Sequence, residues 1–409
     1  MKQQCDRVAG LDVHRDTVVA CLRLGRGDDP ELKRKKFSTT TAGVADLAAW
    51  MADFQVTRVV MESTGVYWKC VYYPLEGLFD ELWLVNAGHV KNVPGRKTDI
   101  ADAEWLADVA AHGMVRPSFV PPPPVRVLRE ITRYRKTQIV ARAQEIQRLD
   151  KVLQDAGIKI SSVASNVLGK GTRAMIEALI AGERDPAVLA DMAKARMRAK
   201  IPALTEALVG RFAAHHGAVA RAILDHIDFL DGAIAGLDEQ VASRLGAFDS
   251  AVTLLETIPG VARRTAETIV AETGADMARF PTATQLCAWA GVAPANHESA
   301  GKRRPAGTRK GANWLRRSLI EAAKAASRTK DTYLAAQYRQ IAARRGPNKA
   351  TVAVAHSILF AAWHMLSNGE TYNDLGRDYL TRRDTEAETR RLLSRLETLG
   401  HSVTINPAA

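Results

Sequence analysis

"RVAGLDVHRDTVVACLRLG", residues 7–25, decides the fold class, because it reads as two β-rich runs joined by the polar turn His14-Arg15-Asp16. Outward from it, "KRKKFSTT" (33–40) supplies a third strand, and "TAGVADLAAWMADF" (41–54) has the apolar spacing of a helix. "VTRVVMES" (56–63) is a short buried strand, "TGVYWKCVYYPLEGLF" (64–79) is helical and "ELWLVNA" (81–87) is a further strand. "KTDIADAEWLAD" (97–108) opens the helix that follows. Strands first, then strand and helix in alternation, predict an α/β domain with a mixed sheet.

"PSFVPPPPV" (117–125) interrupts this pattern, since four consecutive prolines continue neither a helix nor a central strand. A domain boundary is expected there, giving an α/β domain over 1–118. Long helices follow over 119–250. Ile139, Ile146 and Leu153 recur every seven residues with Leu149 between, and Ile223, Ile227, Leu230, Ile234, Leu237 and Val241 step by fours and threes like a coiled-coil seam. The two runs are expected to pack together or to pair between subunits. Residues 158–216 are helical without a chemical motif. A third, helical region spans 251–369, and 370–409 is a charged tail.

The 409 residues are 46% hydrophobic and 25% charged, a globular composition. Their formal net charge of +12 favours a polyanionic partner, nucleic acid before a membrane surface. No uninterrupted apolar run approaches the roughly 20 residues that span a bilayer, and "MKQQCDRVAG" lacks the apolar core of a signal peptide, so a cytoplasmic, nucleoid-associated protein with no membrane partner is expected. The four cysteines (Cys5, Cys21, Cys70, Cys287) are too scattered for a zinc site or a disulfide framework.

Against this positive background the acids of the first domain stand out. Asp99 and Asp102 are three positions apart and share a helix face. Asp12 lies inside the first apolar run and Glu62 ends another, where a charge is costly unless paired or coordinated. Each has a bland explanation: a solvated first helical turn for Asp99 and Asp102, a turn start for Asp12, a helix cap for Glu62. Together, four carboxylates from separate parts of one domain could hold one or two Mg²⁺ ions and support displacement at phosphorus. Asp16, in a turn, and Asp108, further down the helix, rank lower.

The third region holds most of the basic chemistry. "LLETIPGVARRTAETIVAETG" (254–274) reads as a helix-hairpin-helix in which the Gly260 turn lets a phosphate approach and Arg263 and Arg264 add charge; the alternative is an αα-hairpin used for packing alone. "ANHESAGKRRPAGTRKGANWLRRSLIEAA" (295–323) carries Lys302, Arg303, Arg304, Arg309, Lys310, Arg316 and Arg317, with Gly301, Gly307 and Gly311 before, among and after the first five, as in a loop that follows a phosphate backbone. Ser299 is the hydroxyl at its head. On spacing alone it is an ordinary loop serine without an obvious base.

"GLDVHRDTVVACL", "VVMESTGVYW" and "KTDIADAEWLAD", in that order, resemble the three motifs of the DEDD domain of the insertion-sequence-110 family of transposases. The resemblance extends to the third region. It implies an RNase-H-like fold in the manner of RuvC resolvases and assigns the four acids to Asp12, Glu62, Asp99 and Asp102. It also makes Ser299, ahead of Gly301, "KRR", "TRKGAN" and "WLRRSL", the residue that becomes covalently joined to DNA, with the acids of another subunit completing the centre. A structured bridge RNA pairing with donor and target double-stranded DNA, and dimers joining into a tetramer, are further implications. The expected activity is Mg²⁺-dependent DNA recombination. The alternatives are a junction resolvase or nuclease using water, and a non-enzymatic nucleic-acid scaffold. The lack of a GxxxxGK[ST] loop agrees with a reaction that needs no ATP.

Overall fold

The computed structural model describes residues 3–27, 29–63, 65–86, 98–295, 298–299, 302–303, 307–308, 311–382 and 385–404. The chain forms two compact units, 1–120 and 121–409.

In the first unit, β1 (Arg7–Val13), β2 (Thr17–Leu24) and β3 (Glu31–Ser38) form an antiparallel meander. After helix α1 (Thr41–Asp53), β4 (Arg58–Glu62) returns parallel to β1. After α2 (Lys69–Leu75), β5 (Glu81–Val85) adds parallel to β4, so the sheet order is β3-β2-β1-β4-β5. The basic edge strand β3 exposes Lys35 and Lys36, which blunts pairing with other chains.

Strand period two sorts the side chains into two layers. Ala9, Leu11 and Val13 join Leu47, Met51, Val71 and Leu75 of α1 and α2 on one face. Val8, Val60 and Val85 meet Leu106, Ala107 and Ala110 of α3 (Asp99–Ala111) on the other.

Among its described residues, the regular structure of the second unit is helical apart from a short hairpin. Pro122 caps α4 (Pro123–Asp155) and the next two prolines occupy its first turn. The proline run thus ends by starting a helix, where a missing N–H costs nothing. α4 packs along α6 (Ala214–Leu245), with α5 (Lys170–Ala181) in the segment between them. Ion pairs Arg135–Asp238, Arg142–Asp231 and His226–Glu145 make the pairing antiparallel and intramolecular. Leu149 and Leu153 are buried at the seam as their spacing predicts, but Ile139 and Ile146 are only half-buried. The seam is buried instead at Thr132, Arg135 and Glu145, because the charged residues find partners there.

Helices α7 (Asp249–Glu256), α8 (Arg263–Thr273), α9 (Ala283–Trp289), α10 (Asn313–Ala326), α11 (Tyr333–Arg345) and α12 (Pro347–Asn368) complete the unit's core. By length and composition α12 is long and apolar enough to cross a membrane, although its apolar residues are interrupted by polar ones. Here it packs against α9, α10 and α11 with Val354, Ile358 and Leu359 fully buried, and Trp363 Nε1 donates to the Phe280 carbonyl at 2.8 Å.

Candidate active site

Gly10 is where the candidate site of the first unit begins. It lies on the α3 face of β1, two residues before Asp12, and a Cβ there would sit 2.1 Å from the Ala103 carbonyl oxygen and 2.6 Å from the Ala107 nitrogen. Glycine on the strand and alanines spaced i, i+4 on the helix let the two backbones touch. This approach sets the first turn of α3 beside the end of β1. Thr98 starts that turn, its hydroxyl accepting from the Ala101 N–H at 3.2 Å, and Asp99 and Asp102 are its acids. On β4, Glu62 follows Met61, the partner of Leu11, so it stands one step along at the level of Asp12.

Asp12 and Asp99 converge on one nitrogen. His14 Nε2 is 3.2 Å from Asp12 Oδ2 and 3.4 Å from Asp99 Oδ2. The three ligand-type atoms lie within 4.8 Å of one another. Burial raises the Asp12 carboxyl above the ordinary carboxylate range; His14 opposes this, and Asp99, Asp102 and Glu62 add to it. The structure therefore brings the other three sequence-predicted acids within electrostatic reach of Asp12, half-buried between them.

The remaining acids of α3 are used differently. Glu104 pairs with Arg34 of β3, and Asp108 with Arg23 of β2 at 3.3 Å. Asp16 pairs with its neighbour Arg15. Asp99 and Asp102 have no lysine or arginine partner among the described residues. His14 is the site residue that sequence reasoning leaves in a turn, yet its signal was present: two positions after Asp12, it continues the same strand face.

In the second unit, the α7–α8 turn places Gly260 at φ 86°, and a Cβ there would lie 2.5 Å from both the Ala322 carbonyl oxygen and the Ala326 nitrogen of α10. The absent side chain serves the packing of the turn on a helix. Arg263 pairs with Asp249 at 2.7 Å, Glu256 at 3.4 Å and Glu267 at 3.5 Å, and Arg264 with Asp238 at 2.6 Å. Arg135 binds the same Glu267 and Asp238, tying α8 to α4 and α6. Glu267 is 6% exposed and needs these cations.

Ser299 belongs to a two-strand hairpin, β6 (Glu298–Ser299) and β7 (Lys302–Arg303), in which Ser299 pairs with Lys302 and Glu298 with Arg303. Its base is tied down. Pro294 bridges Thr308, the Ala295 N–H donates to the Gly307 carbonyl at 3.0 Å, and Gly311 packs so closely that a Cβ would lie 2.3 Å from the Gly291 nitrogen. Arg304, Arg309 and Lys310 lie outside the described residues. Arg316 and Arg317, on α10 just beyond, line a shallow groove with Asn313, Lys324 and Glu321, the last paired with Lys136, and the two arginines have no ion-pair partner among the described residues.

Comparison with known proteins finds two family matches in the chain, the first of which runs past residue 120 into α4. Residues 9–158 match the DEDD transposase family of insertion sequence 110, and residues 252–339 match the family described as Transposase IS116/IS110/IS902. The chain is 26% identical to the transposase for insertion sequence element IS1111A of Coxiella burnetii, over 90% of this chain and 91% of that protein. It is 24% identical to a probable family 20 transposase of Pseudomonas aeruginosa, over 91% of this chain and 96% of that one. A putative transposase y4pF/y4sB of Sinorhizobium fredii is 30% identical over 34% of this chain and 37% of its own length. With both family domains present in order and full-length relatives alongside, the chain belongs to the IS110 family of insertion-sequence transposases.

Proposed function

We propose that this chain is the recombinase of its own insertion element, cleaving and rejoining double-stranded DNA with a divalent metal at Asp12, Glu62, Asp99 and Asp102 and with Ser299 as nucleophile. One observation carries the reading: Asp12, half-buried on a central strand, is faced by acids from β4 and from the first turn of α3, and their repulsion adds to burial in raising its pKa. Such a cluster is a poor structural element and a good cation site. Carboxylate oxygens are the donors that Mg²⁺ prefers, so the residues fit the ion. The mixed sheet, with its acids on adjacent central strands, supports an RNase-H-like domain of the RuvC kind.

Bound there, Mg²⁺ would supply Lewis-acid stabilisation of charge on phosphoryl oxygens. Asp12 and Glu62 are fixed by the sheet, whereas Asp99 and Asp102 depend on α3 reaching it over Gly10. His14 holds Asp12 and Asp99 toward one point. In the second unit the hairpin cations offset negative charge gathering at phosphorus. Ser299 Oγ forms a bond to phosphorus as the bond from phosphorus to a sugar oxygen breaks; the serine proton passes to a base and the freed sugar oxygen takes one up. Reversal by a sugar hydroxyl releases the serine. One phosphodiester replaces another, so no nucleotide is hydrolysed. The chain's positive charge suits a bridge RNA as well as DNA. We assign it that RNA, and a dimer joining into a tetramer in which one copy's acids serve another's serine.

The test uses purified protein with its copurifying RNA, Mg²⁺ and end-labelled element DNA, denatured after reaction. Label on the wild-type protein, and none on Ser299→Ala or Asp12→Ala, is the expected result. DNA cut without an adduct, equally well by Ser299→Ala, would replace the serine with water and make the enzyme a junction resolvase.

A further inference from the structure

Residues 159–251 lie between the two family matches, and a basic cavity is built into them. The core of this segment, shared with the end of α4, has Leu153, Ile160, Met175, Ile176 and Leu204 fully buried. Beside the first turn of α5 it leaves a cavity of about 430 Å³, lined by Asn166 and Lys170 on one side and by Lys194, Arg196 and Lys200 on the other. No carboxylate among the described residues lines it.

That absence is selective. Arg173, one turn along α5, pairs with Glu177 at 2.9 Å and Asp228 at 2.6 Å, and Arg198 pairs with Asp191 at 3.0 Å. Acids are thus set against the cations next to the cavity, while Lys170, Lys194 and Arg196 in its wall have no ion-pair partner among the described residues. The cations are brought together by packing: a Cβ on Gly171 would lie 2.8 Å from Met197 Cε and 3.2 Å from the Met192 carbonyl oxygen, so the 192–197 segment rests directly on α5. Lys200 Nζ donates to the Val163 carbonyl at 2.9 Å across the opening. Thr172 turns its hydroxyl to the carbonyls of Asn166 and Gly169, and no side chain caps the helix, which adds its positive end to the same wall.

We propose that this cavity is a binding site for a backbone phosphate of a nucleic-acid strand, held by Lys170, Lys194 and Arg196. Arginine offers a fork that matches phosphate oxygens, and the lysines add charge from either side. The proposal rests on the nucleic-acid reading above for the source of the phosphate. DNA and RNA share that group, and the experiment separates them.

Binding of the full-length chain to fluorescent duplex DNA and to a fluorescent RNA hairpin would be followed by anisotropy over a salt series. Lys194→Ala/Arg196→Ala is expected to weaken one polymer about tenfold and to lower its slope of log K against log salt by about 1 to 2. The polymer affected identifies the source. Lys194→Arg/Arg196→Lys should keep the slope, and Lys170→Ala should act in the same direction as the double variant without altering the 192–197 segment. Lys151→Ala/Lys349→Ala removes equal charge from exposed positions elsewhere and should change little. Unaltered binding of both polymers by the cavity variants, or an equal loss in that control, overturns the site. If the wild type binds neither polymer, the nucleic-acid reading itself fails and this ligand assignment with it.

Discussion

The first unit gathers carboxylates onto one another, whereas the α7–α8 turn of the second gives each arginine an acid. Asp12 is half-buried among Asp99, Asp102 and Glu62, with His14 in opposition. Arg263 meets Asp249, Glu256 and Glu267, and Arg264 meets Asp238. Both sets are strongly charged in sequence, and the fold separates them. Charge that is compensated internally stabilises helix packing and leaves little for a ligand. Charge held in conflict costs stability and persists where a ligand resolves it.

The comparison is broken most directly by activity. Asp12→Ala is expected to reduce DNA cleavage by about 10³-fold, in the range for losing a preorganised electrostatic group, whereas Arg263→Ala should stay within a few-fold of wild type. Equal losses in a cleavage assay would erase the distinction. The glycines sharpen it. Gly10→Ala places a Cβ 2.1 Å from a helix carbonyl, so urea unfolding should show a loss of about 3 kcal/mol, and divalent-cation affinity should fall as α3 is displaced. Gly260→Ala, strained at φ 86° and crowded by α10, should lose about 2 kcal/mol while DNA affinity of the folded protein is unchanged.

Much of the first unit was legible because its signals are local. The period-two runs around His14-Arg15-Asp16 mark β1 and β2, and an acid inside an apolar run marks Asp12 and Glu62. The role of Gly10 was not legible, since a glycine in a strand does not say which backbone approaches it. His14 looked like turn chemistry until α3 set Asp99 beside it. In the second unit, Arg263 and Arg264 resemble phosphate ligands in sequence because Asp238 and Asp249 lie 26 and 14 residues away. The heptad spacing of α4 found its helix but overweighted Ile139 and Ile146, since pattern alone does not show that Arg135 and Glu145 are buried with partners. For Ser299, sequence reasoning and resemblance point opposite ways, and the hairpin adds its backbone pairing with Lys302.

Two smaller effects follow from the same contrast. Arg316→Ala/Arg317→Ala, removing cations with no ion-pair partner among the described residues, should weaken DNA binding about tenfold and reduce its salt slope by about 1 to 2. Arg263→Ala/Arg264→Ala removes the same formal charge but should leave binding within about twofold and cost about 1 kcal/mol of stability, these arginines being half-exposed. At the acids, the Asp12 pKa lies above its ordinary value of 3.8, so its contribution to stability is fullest below that value and is lost as pH rises through the raised pKa. Without metal at neutral pH, Asp12→Asn should therefore be more stable than wild type, and it should not gain the stabilisation expected of Mg²⁺ on the wild type. Thermal melts with and without Mg²⁺ would show a reversed order of midpoints.

The cysteines offer the gentlest probe of whether the two units respond separately. Cys70 is exposed and Cys5 half-buried, so both should react with a thiol reagent in the native protein, Cys70 first. Burial pushes the Cys21 thiol up to about 11, with Glu104 adding to it, and burial alone pushes Cys287 up to about 12. As the thiolate is the nucleophile, both should react only on unfolding. Cys21 lies opposite Gly10 on β2, under α3, and Cys287 is buried on α9, its Sγ 3.7 Å from the His356 carbonyl. Gly10→Ala should thus speed labelling of Cys21 and not of Cys287, and Gly260→Ala the reverse. If either glycine substitution exposed both thiols together, the acid site and the basic helical unit would share one cooperative core, and their charges could not be tuned independently.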